Sequence, residues 1–202
     1  MRSFLEALEV QRWDDHRYYH HSYINQALHF VSAISFLSAY ALLFTSPVAA
    51  ALVGWLLAMT SRQIGHFFFE PKGYDEVNGA THEYKEEIKV GYNLRRKIVL
   101  LSIWALSPIG LYIDPTLLGL FEPHGDAAGF IRNMSLLWLA LGFGGLLFRT
   151  VQLFFVKDMQ TGMVWMTKIL TDPFHDIKLY HKAPLCLLRG QLIDPMTDKQ
   201  AA

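Results

Sequence analysis

The apolar positions of this 202-residue chain gather into long segments separated by shorter polar ones. Four of these segments, near residues 24–44, 47–69, 98–120 and 134–156, approach the roughly 20 apolar residues that a helix needs to cross a bilayer. Almost nothing separates the first two segments, so they predict a helical hairpin, and the last two predict a second hairpin. We expect an all-α integral membrane protein of one domain with four transmembrane helices. The alternative is a soluble bundle of buried helices.

Helix-breaking residues divide the second half of the chain. Pro108 and the pair Asp114-Pro115 lie in the third apolar segment and predict a kink followed by an early end of that helix. After the fourth segment, apolar residues recur at helical spacing up to Asp172-Pro173, which predicts a short amphipathic tail helix that ends there. Such a helix suits the membrane interface, and a packed cytoplasmic cap explains the same pattern nearly as well.

Lysine and arginine are unevenly distributed, although the formal net charge is zero. They are frequent in the N-terminal segment, in the loop at 70–97 and in the tail at 157–202, and they are absent from residues 114–130. Because cytoplasmic loops retain these residues, both termini and the loop at 70–97 are expected to be cytoplasmic, in a bacterial inner membrane or an endoplasmic reticulum. The balanced charge argues against a nucleic-acid partner.

Nearly all of the nine histidines lie on the predicted cytoplasmic side. In a continuous helix, His21, Asn25 and His29 would share one face at successive i, i+4 steps, and His20 would point elsewhere. If the helix instead begins near Ser22, an acceptable N-cap, His20 lies in the preceding turn and can fold over the same pocket. Both geometries bring at least two histidines to one site, and the sequence leaves both open.

A second polar pair ends the second apolar segment. His66 and Glu70 are four residues apart, so their imidazole and carboxylate share one face of a helix. His82 and Glu86 follow in the loop. They either add ligands and make the site dinuclear, or Glu86 belongs with Lys85 to the solvated face of a short helix.

Imidazole and carboxylate together are ligands for iron, manganese or zinc, and sets with open positions suit non-haem Fe(II) that activates oxygen. Ionisable residues against a membrane span are costly, and they therefore indicate function. Two other classes stay open. A haem-binding protein would use one histidine from each of two spans, such as His29 and His66, as axial ligands. A non-catalytic four-span protein would bind no stoichiometric metal.

Residues 20–30, HHSYINQALHF, and residues 64–70, IGHFFFE, occur in this order across the first hairpin. They resemble the two signature motifs of the 2-hydroxy-palmitate dioxygenase family of the membrane α-oxidation pathway. That family pattern places one histidine five residues before an asparagine, another four residues after it, and then a Gly-His pair with a glutamate four residues beyond. The polar stretch after Glu70 differs from the proline-containing turn and hydrophobic stretch of many relatives, as expected of a bacterial or divergent member.

The resemblance implies an Fe(II)-dependent, oxygen-consuming enzyme that removes one carbon from a 2-hydroxy fatty acid, with one metal ion or alternatively two. On this basis His20, His29 and His66 are expected to hold the metal near the cytoplasmic face. His21 and His82 are further candidate ligands.

The same hypothesis gives roles to the neighbouring residues. Glu70 is expected either as a further ligand or as the base that takes the 2-hydroxyl proton. Asn25 either orients a ligand or makes an ordinary interhelical hydrogen bond. Phe30 and Phe67 are expected to line a cleft for the acyl chain. Arg149, inside the fourth span, either extends to the interface or receives the fatty-acid carboxylate.

Overall fold

The computed structural model describes residues 2–196, and over this range it contains helices and two isolated bridges but no β-strand. The helices are α1 Phe4–Tyr19, α2 Tyr23–Leu42, α3 Pro47–Phe69, α4 His82–Ile88, α5 Leu94–Ile113, α6 Ala127–Val156, α7 Met159–Tyr180 and α8 Ala183–Leu188. The prediction of an all-α fold is confirmed for these residues. The end of the predicted tail, residues 197–202, lies outside them.

Three helices, α3, α5 and α6, are long and apolar enough to cross a membrane. In their most apolar stretches only 28%, 6% and 17% of the residues are buried inside the protein. Helices that are apolar yet unburied need a non-aqueous surrounding, so the protein has the character of a membrane protein. α2 also has 20 residues but is not among the three, since Asn25, Gln26 and His29 in its first turns lower its hydropathy. The structure therefore supports three of the four predicted spans.

The boundaries of the third and fourth predicted segments are shifted. α5 ends at Ile113 rather than at residue 120, because the Asp114 carboxylate accepts a hydrogen bond from the Leu118 N–H at 2.6 Å and turns the chain. The early end expected at Asp114 is thus confirmed. α6 begins at Ala127 rather than near 134, because the Asp126 side chain caps its first turn.

α1 has no counterpart among the predicted elements. It begins with a capping box, in which Ser3 and Glu6 exchange side-chain-to-backbone hydrogen bonds of 2.8 and 3.3 Å. The helix packs against α7 and buries Leu8, His16 and Tyr19. Its end fixes the position of the first histidine of the site.

α7 is longer than the predicted tail helix, since it continues through Pro173 to Tyr180. The proline removes one backbone hydrogen bond from the helix interior. Beyond it, however, Asp176 and Tyr180 are buried, and α7 packs against α1, α2 and α6. These tertiary contacts compensate for the break, so the prediction that the helix stops at Asp172-Pro173 is wrong. Its contacts with three other helices favour the packed-cap alternative.

The segment around α4 folds over the ends of α1 and α3. Lys85 is fully buried, and its Nζ donates to the carbonyl oxygens of Tyr18 at 3.4 Å and Pro71 at 3.3 Å. Asp75 lies 3.7 Å from the same nitrogen. The interpretation of this helix as merely a solvated face is therefore wrong at Lys85.

Candidate metal centre

Three histidines from three separate helix ends meet inside the protein. His20 follows the last turn of α1, His29 lies in the second turn of α2, and His66 lies near the end of α3. One ring nitrogen from each falls within 4.8 Å of the others, and the Nε2 atoms of His20 and His29 are 3.2 Å apart. The exposed fraction is 1% for His20, 0% for His29 and 8% for the His66 side chain.

The break between α1 and α2 selects His20 rather than His21 for this triad. α1 ends at Tyr19, Ser22 occupies the N-cap position of α2, and His20 lies in the turn between them. The continuous-helix alternative is therefore wrong, and the geometry with a turn before Ser22 is confirmed. His21 points away, to the carbonyl oxygen of Arg17 and to Asp75, whose carboxylate lies 3.4 Å from its Nε2.

A close approach between α2 and α3 brings His29 and His66 together. A Cβ atom added at Gly65 would lie 2.2 Å from Asn25 Oδ1 and 3.4 Å from the His29 ring, so only glycine allows this packing. The Asn25 amide donates to the Tyr19 carbonyl at 2.8 Å and so holds the α1–α2 turn. Residues Gly65–Phe69 form a π-helical turn, a rare feature that is frequent at functional sites.

The outer nitrogens of two of the rings are held by oxygen acceptors. His20 Nδ1 lies 2.8 Å from the Asp15 carbonyl oxygen, which only accepts, so this nitrogen carries the proton. His66 Nδ1 lies 2.8 Å from Glu70 Oε2 and donates to the carboxylate in the same way. Both Nε2 atoms are then unprotonated and available as ligands. His29 Nδ1 has no hydrogen-bond partner within residues 2–196, and Asp176 Oδ2 is 3.8 Å from it.

Burial and neighbouring charges set the protonation states of the groups at this centre. Burial lowers the pKa of His20 well below its ordinary value, so its imidazole is neutral near pH 7. Burial raises the pKa of the Glu70 carboxyl, against the lowering effect of Lys89, whose Nζ is 3.3 Å from Glu70 Oε1. Neutral imidazoles are the form that binds metal.

A buried network of charged residues, absent from the sequence predictions, surrounds the triad. Arg62 of α3 lies 3.0 Å from Asp176 and 3.7 Å from Asp172, both on α7. Lys168 lies 2.7 Å from Asp172 and 3.0 Å from Asp15. Burial alone would raise the pKa of Asp15, but Lys168 and other nearby positive charges outweigh it and hold that pKa well below its ordinary value. Arg62 within an apolar span was the signal that could have revealed this network.

The other predicted ligands lie apart from the triad. His82 lines a small recess that also contains His66, Glu70 and Glu86, and its Nδ1 is buried without a hydrogen-bond partner among the described residues. Glu70 is hydrogen-bonded to Nδ1 of His66 and is not part of the group of three ligands. The metal-ligand group found in the described part of the chain is made of histidines alone.

A cavity of about 310 Å³ reaches the triad at His66 and continues between the helices toward Trp55. Phe30, Phe67 and Arg149, the predicted substrate-binding residues, do not line it. Phe67 lines a separate groove against α5. Arg149 is buried on α6, and its guanidinium donates to the Val90 carbonyl oxygen at 2.6 and 3.1 Å.

Comparison of this chain with family models, with curated proteins and with solved structures gives no match. The family resemblance of the two histidine motifs therefore stays a prediction, and the function has to be argued from the geometry.

Proposed function

We propose that this protein is a membrane-embedded, Fe(II)-dependent dioxygenase that shortens 2-hydroxy fatty acids by one carbon. The observation that carries the proposal is the convergence of His20, His29 and His66, with one ring nitrogen from each within 4.8 Å of the others. His20 and His29 flank one turn, and His66 comes from the end of a helix further along the chain. The polar atoms of a helical membrane protein are not buried together in this way for packing alone.

The residues present fit a transition-metal ion. Their donor set is three imidazoles, two of which have Nε2 unprotonated because an oxygen acceptor holds the proton at Nδ1. Imidazole suits iron as well as zinc, copper and nickel, and three protein ligands leave positions open for substrate and oxygen. Iron is chosen among these metals from the resemblance of the motifs at 20–30 and 64–70. When bound, Fe(II) would supply redox chemistry with molecular oxygen, which no side chain provides.

The surrounding residues hold the imidazoles in place and keep water out. The Asp15 carbonyl and Glu70 fix the protons at Nδ1 of His20 and His66. The Tyr180 ring packs 5.6 Å from the His20 ring and 6.1 Å from the His29 ring, and closes the site on the side of α7. In this arrangement Glu70 acts through His66, and its proposed role as a base requires it to leave that hydrogen bond.

The hydrophobic surroundings favour a lipid substrate. The cavity at His66 has walls rich in aromatic and aliphatic side chains, and α3, α5 and α6 carry the apolar surface of membrane helices. We include α2 as the fourth span, because it runs beside α3 and its N-terminal end meets the C-terminal end of α3 at the triad. The concentration of Lys and Arg near these ends favours a cytoplasmic site.

Haem is a poorer fit to the same residues. The ring centroids of His20, His29 and His66 are 4.2 to 5.3 Å apart, and each ring contacts the other two. Two axial histidines need a flat slot for the macrocycle between them, whereas here a third imidazole fills that region.

The deciding experiment is iron analysis of the purified protein, reconstituted anaerobically with Fe(II), for the wild type and for His66→Ala. The wild type is expected to hold one iron per chain and to consume oxygen when 2-hydroxy-palmitate is added. His66→Ala is expected to lose 10-fold or more in iron affinity and to consume none.

Two control variants sharpen this test. His181→Ala removes an exposed histidine outside the triad and should leave iron content unchanged. His82→Ala separates one metal from two, because a dinuclear site would drop from two irons to one. A folded wild type that binds no metal would refute the proposal, and iron without oxygen uptake would refute its substrate.

A further inference from the structure

The charged residues that line the large cavity are nearly all paired with one another. Arg62 contacts Asp172 and Asp176, and Lys168 contacts Asp15 and Asp172. Lys89 lies 3.3 Å from Glu70 and 3.1 Å from Glu86. The remaining acid of the lining, Asp14, lies 2.7 Å from Arg17. Each of these cations therefore already has at least one acidic partner.

Lys97 is the exception. Its side chain, in the first turn of α5, is half-buried and lines both the large cavity and the small recess behind His66. Within residues 2–196 its ammonium has no hydrogen bond and no ion pair, and its backbone N–H is used by the helix. A cation in a mostly apolar cavity is costly without an acceptor, so an anionic group would be stabilised at this position.

We infer that the cavity binds the acyl chain of a fatty acid, with the carboxylate on Lys97 beside His66. This inference deepens the proposed function by naming the residue that recognises the acid, and it rests on that function for the reaction that follows. Lys97 and His66 border the same two spaces, so an acid held by Lys97 presents its first carbons to the triad. Arg149, which the sequence offered for this role, is used to hold Val90.

The charge and the shape of the cavity define the ligand class. One unpaired ammonium matches one carboxylate, whereas a phosphate head group would bring a second negative charge without a partner. From His66 to Trp55 the cavity follows α3 for eleven residues, which is about 16 Å at ~1.5 Å per residue. A medium-chain acyl group fits within this length.

Gly142 marks the far end of this space. An added Cβ at this residue would meet the Trp55 ring at 3.7 Å, which is ordinary contact, so a larger side chain would extend into the cavity without a backbone clash. Gly142→Leu is therefore expected to reduce the length of chain that fits, while the Lys97 end stays intact.

The test is calorimetric titration of the full chain in lipid nanodiscs, after removal of metal with a chelator. The probes are decanoate, methyl decanoate and decyl phosphate. Decanoate is expected to bind most tightly. Lys97→Met should weaken decanoate binding about tenfold or more and leave the methyl ester unchanged, because only the charged hydrogen bond is removed. Lys97→Arg should restore most of the affinity.

Arg96→Met is the matched control, since it removes an exposed cation from the adjacent position of α5. Equal loss in Arg96→Met and Lys97→Met would show a general surface-charge effect and overturn the inference. Tighter binding of decyl phosphate, or equal binding of acid and ester, would also overturn it. Thermal unfolding of each variant shows whether it is folded.

The outcome is separable from that of the iron experiment. Binding of decanoate that depends on Lys97, in a protein that takes up no iron, would support the lipid-acid site and refute the oxygenase. Iron at the histidines with no Lys97-dependent binding would do the reverse.

Discussion

At the scale of single residues, the site depends on a few specific contacts. The Asn25 side chain occupies the space that a Cβ atom at Gly65 would need. Asn25 is itself held in place by its hydrogen bond to the Tyr19 carbonyl oxygen. His20 and His66 present Nε2 because other groups hold Nδ1. Each of these constraints acts through one contact, so each can be tested by one substitution.

Gly65→Ala should destabilise the protein by about 1–3 kcal/mol and weaken metal binding, because the added methyl would separate α2 from α3. Thermal unfolding and iron titration measure the two effects. Gly144→Ala is the control: it adds the same methyl to α6 with nothing within 4 Å, and should be neutral or stabilising by up to about 1 kcal/mol. Adding Asn25→Ala to Gly65→Ala should recover part of the stability, and no coupling between the two would contradict the close-contact explanation.

Lys97→Met should stabilise the ligand-free protein by about 1 kcal/mol, since it removes an unpaired cation and keeps the side-chain length. Decanoate should in turn raise the unfolding temperature of the wild type more than that of the variant. Thermal unfolding in nanodiscs with and without decanoate gives both quantities. A variant less stable than the wild type without ligand would mean that Lys97 already has a partner in the protein.

At the scale of helices, the network of charges joins α3 to α7. Arg62 contacts Asp172 and Asp176, one turn apart on α7, and Asp176 also faces His29. This docking explains why α7 continues past Pro173, where local sequence rules predict an end. A periodic pattern identifies a helix and its apolar face, but it does not identify the distant residue that compensates for a break.

Arg62→Met should therefore destabilise the protein by about 3 kcal/mol or more, because buried Asp176 loses its guanidinium partner, whereas Asp172 keeps Lys168. Asp176→Asn alone should cost less, and the double substitution Arg62→Met with Asp176→Asn should be more stable than Arg62→Met. Chemical or thermal unfolding of the four proteins forms the double-mutant cycle. Simple additivity would show that the pair is not coupled.

At the scale of the whole molecule, the orientation of the helices follows from the triad. The end of α1, the start of α2 and the end of α3 meet at the histidines. Since α2 and α3 also pack against each other, they run side by side in opposite directions. We therefore propose that α2 is a fourth span, although its polar first turns lower its hydropathy.

Cysteine labelling tests this topology. In a Cys186→Ser background, single cysteines in place of Glu9, Lys72 and Lys182 should react with an impermeant maleimide from the cytoplasmic side. Cysteines in place of Thr45 and Gly125 should react from the opposite side. All five residues are exposed in the structure. Labelling of positions 9 and 182 from opposite sides would contradict four spans.

The sequence alone determined the apolar helices, the first hairpin and the candidate histidines of the metal centre, because hydropathy and i, i+4 spacing are local properties. The choice of His20 over His21 was decided only by the fold, since it depends on where α1 stops and how α2 starts. The full length of α7, the burial of Lys85 and the unpaired ammonium of Lys97 were likewise decided by tertiary structure. Each depends on groups far away in the chain, and the energy of a buried charge is set by the partners that the fold brings to it.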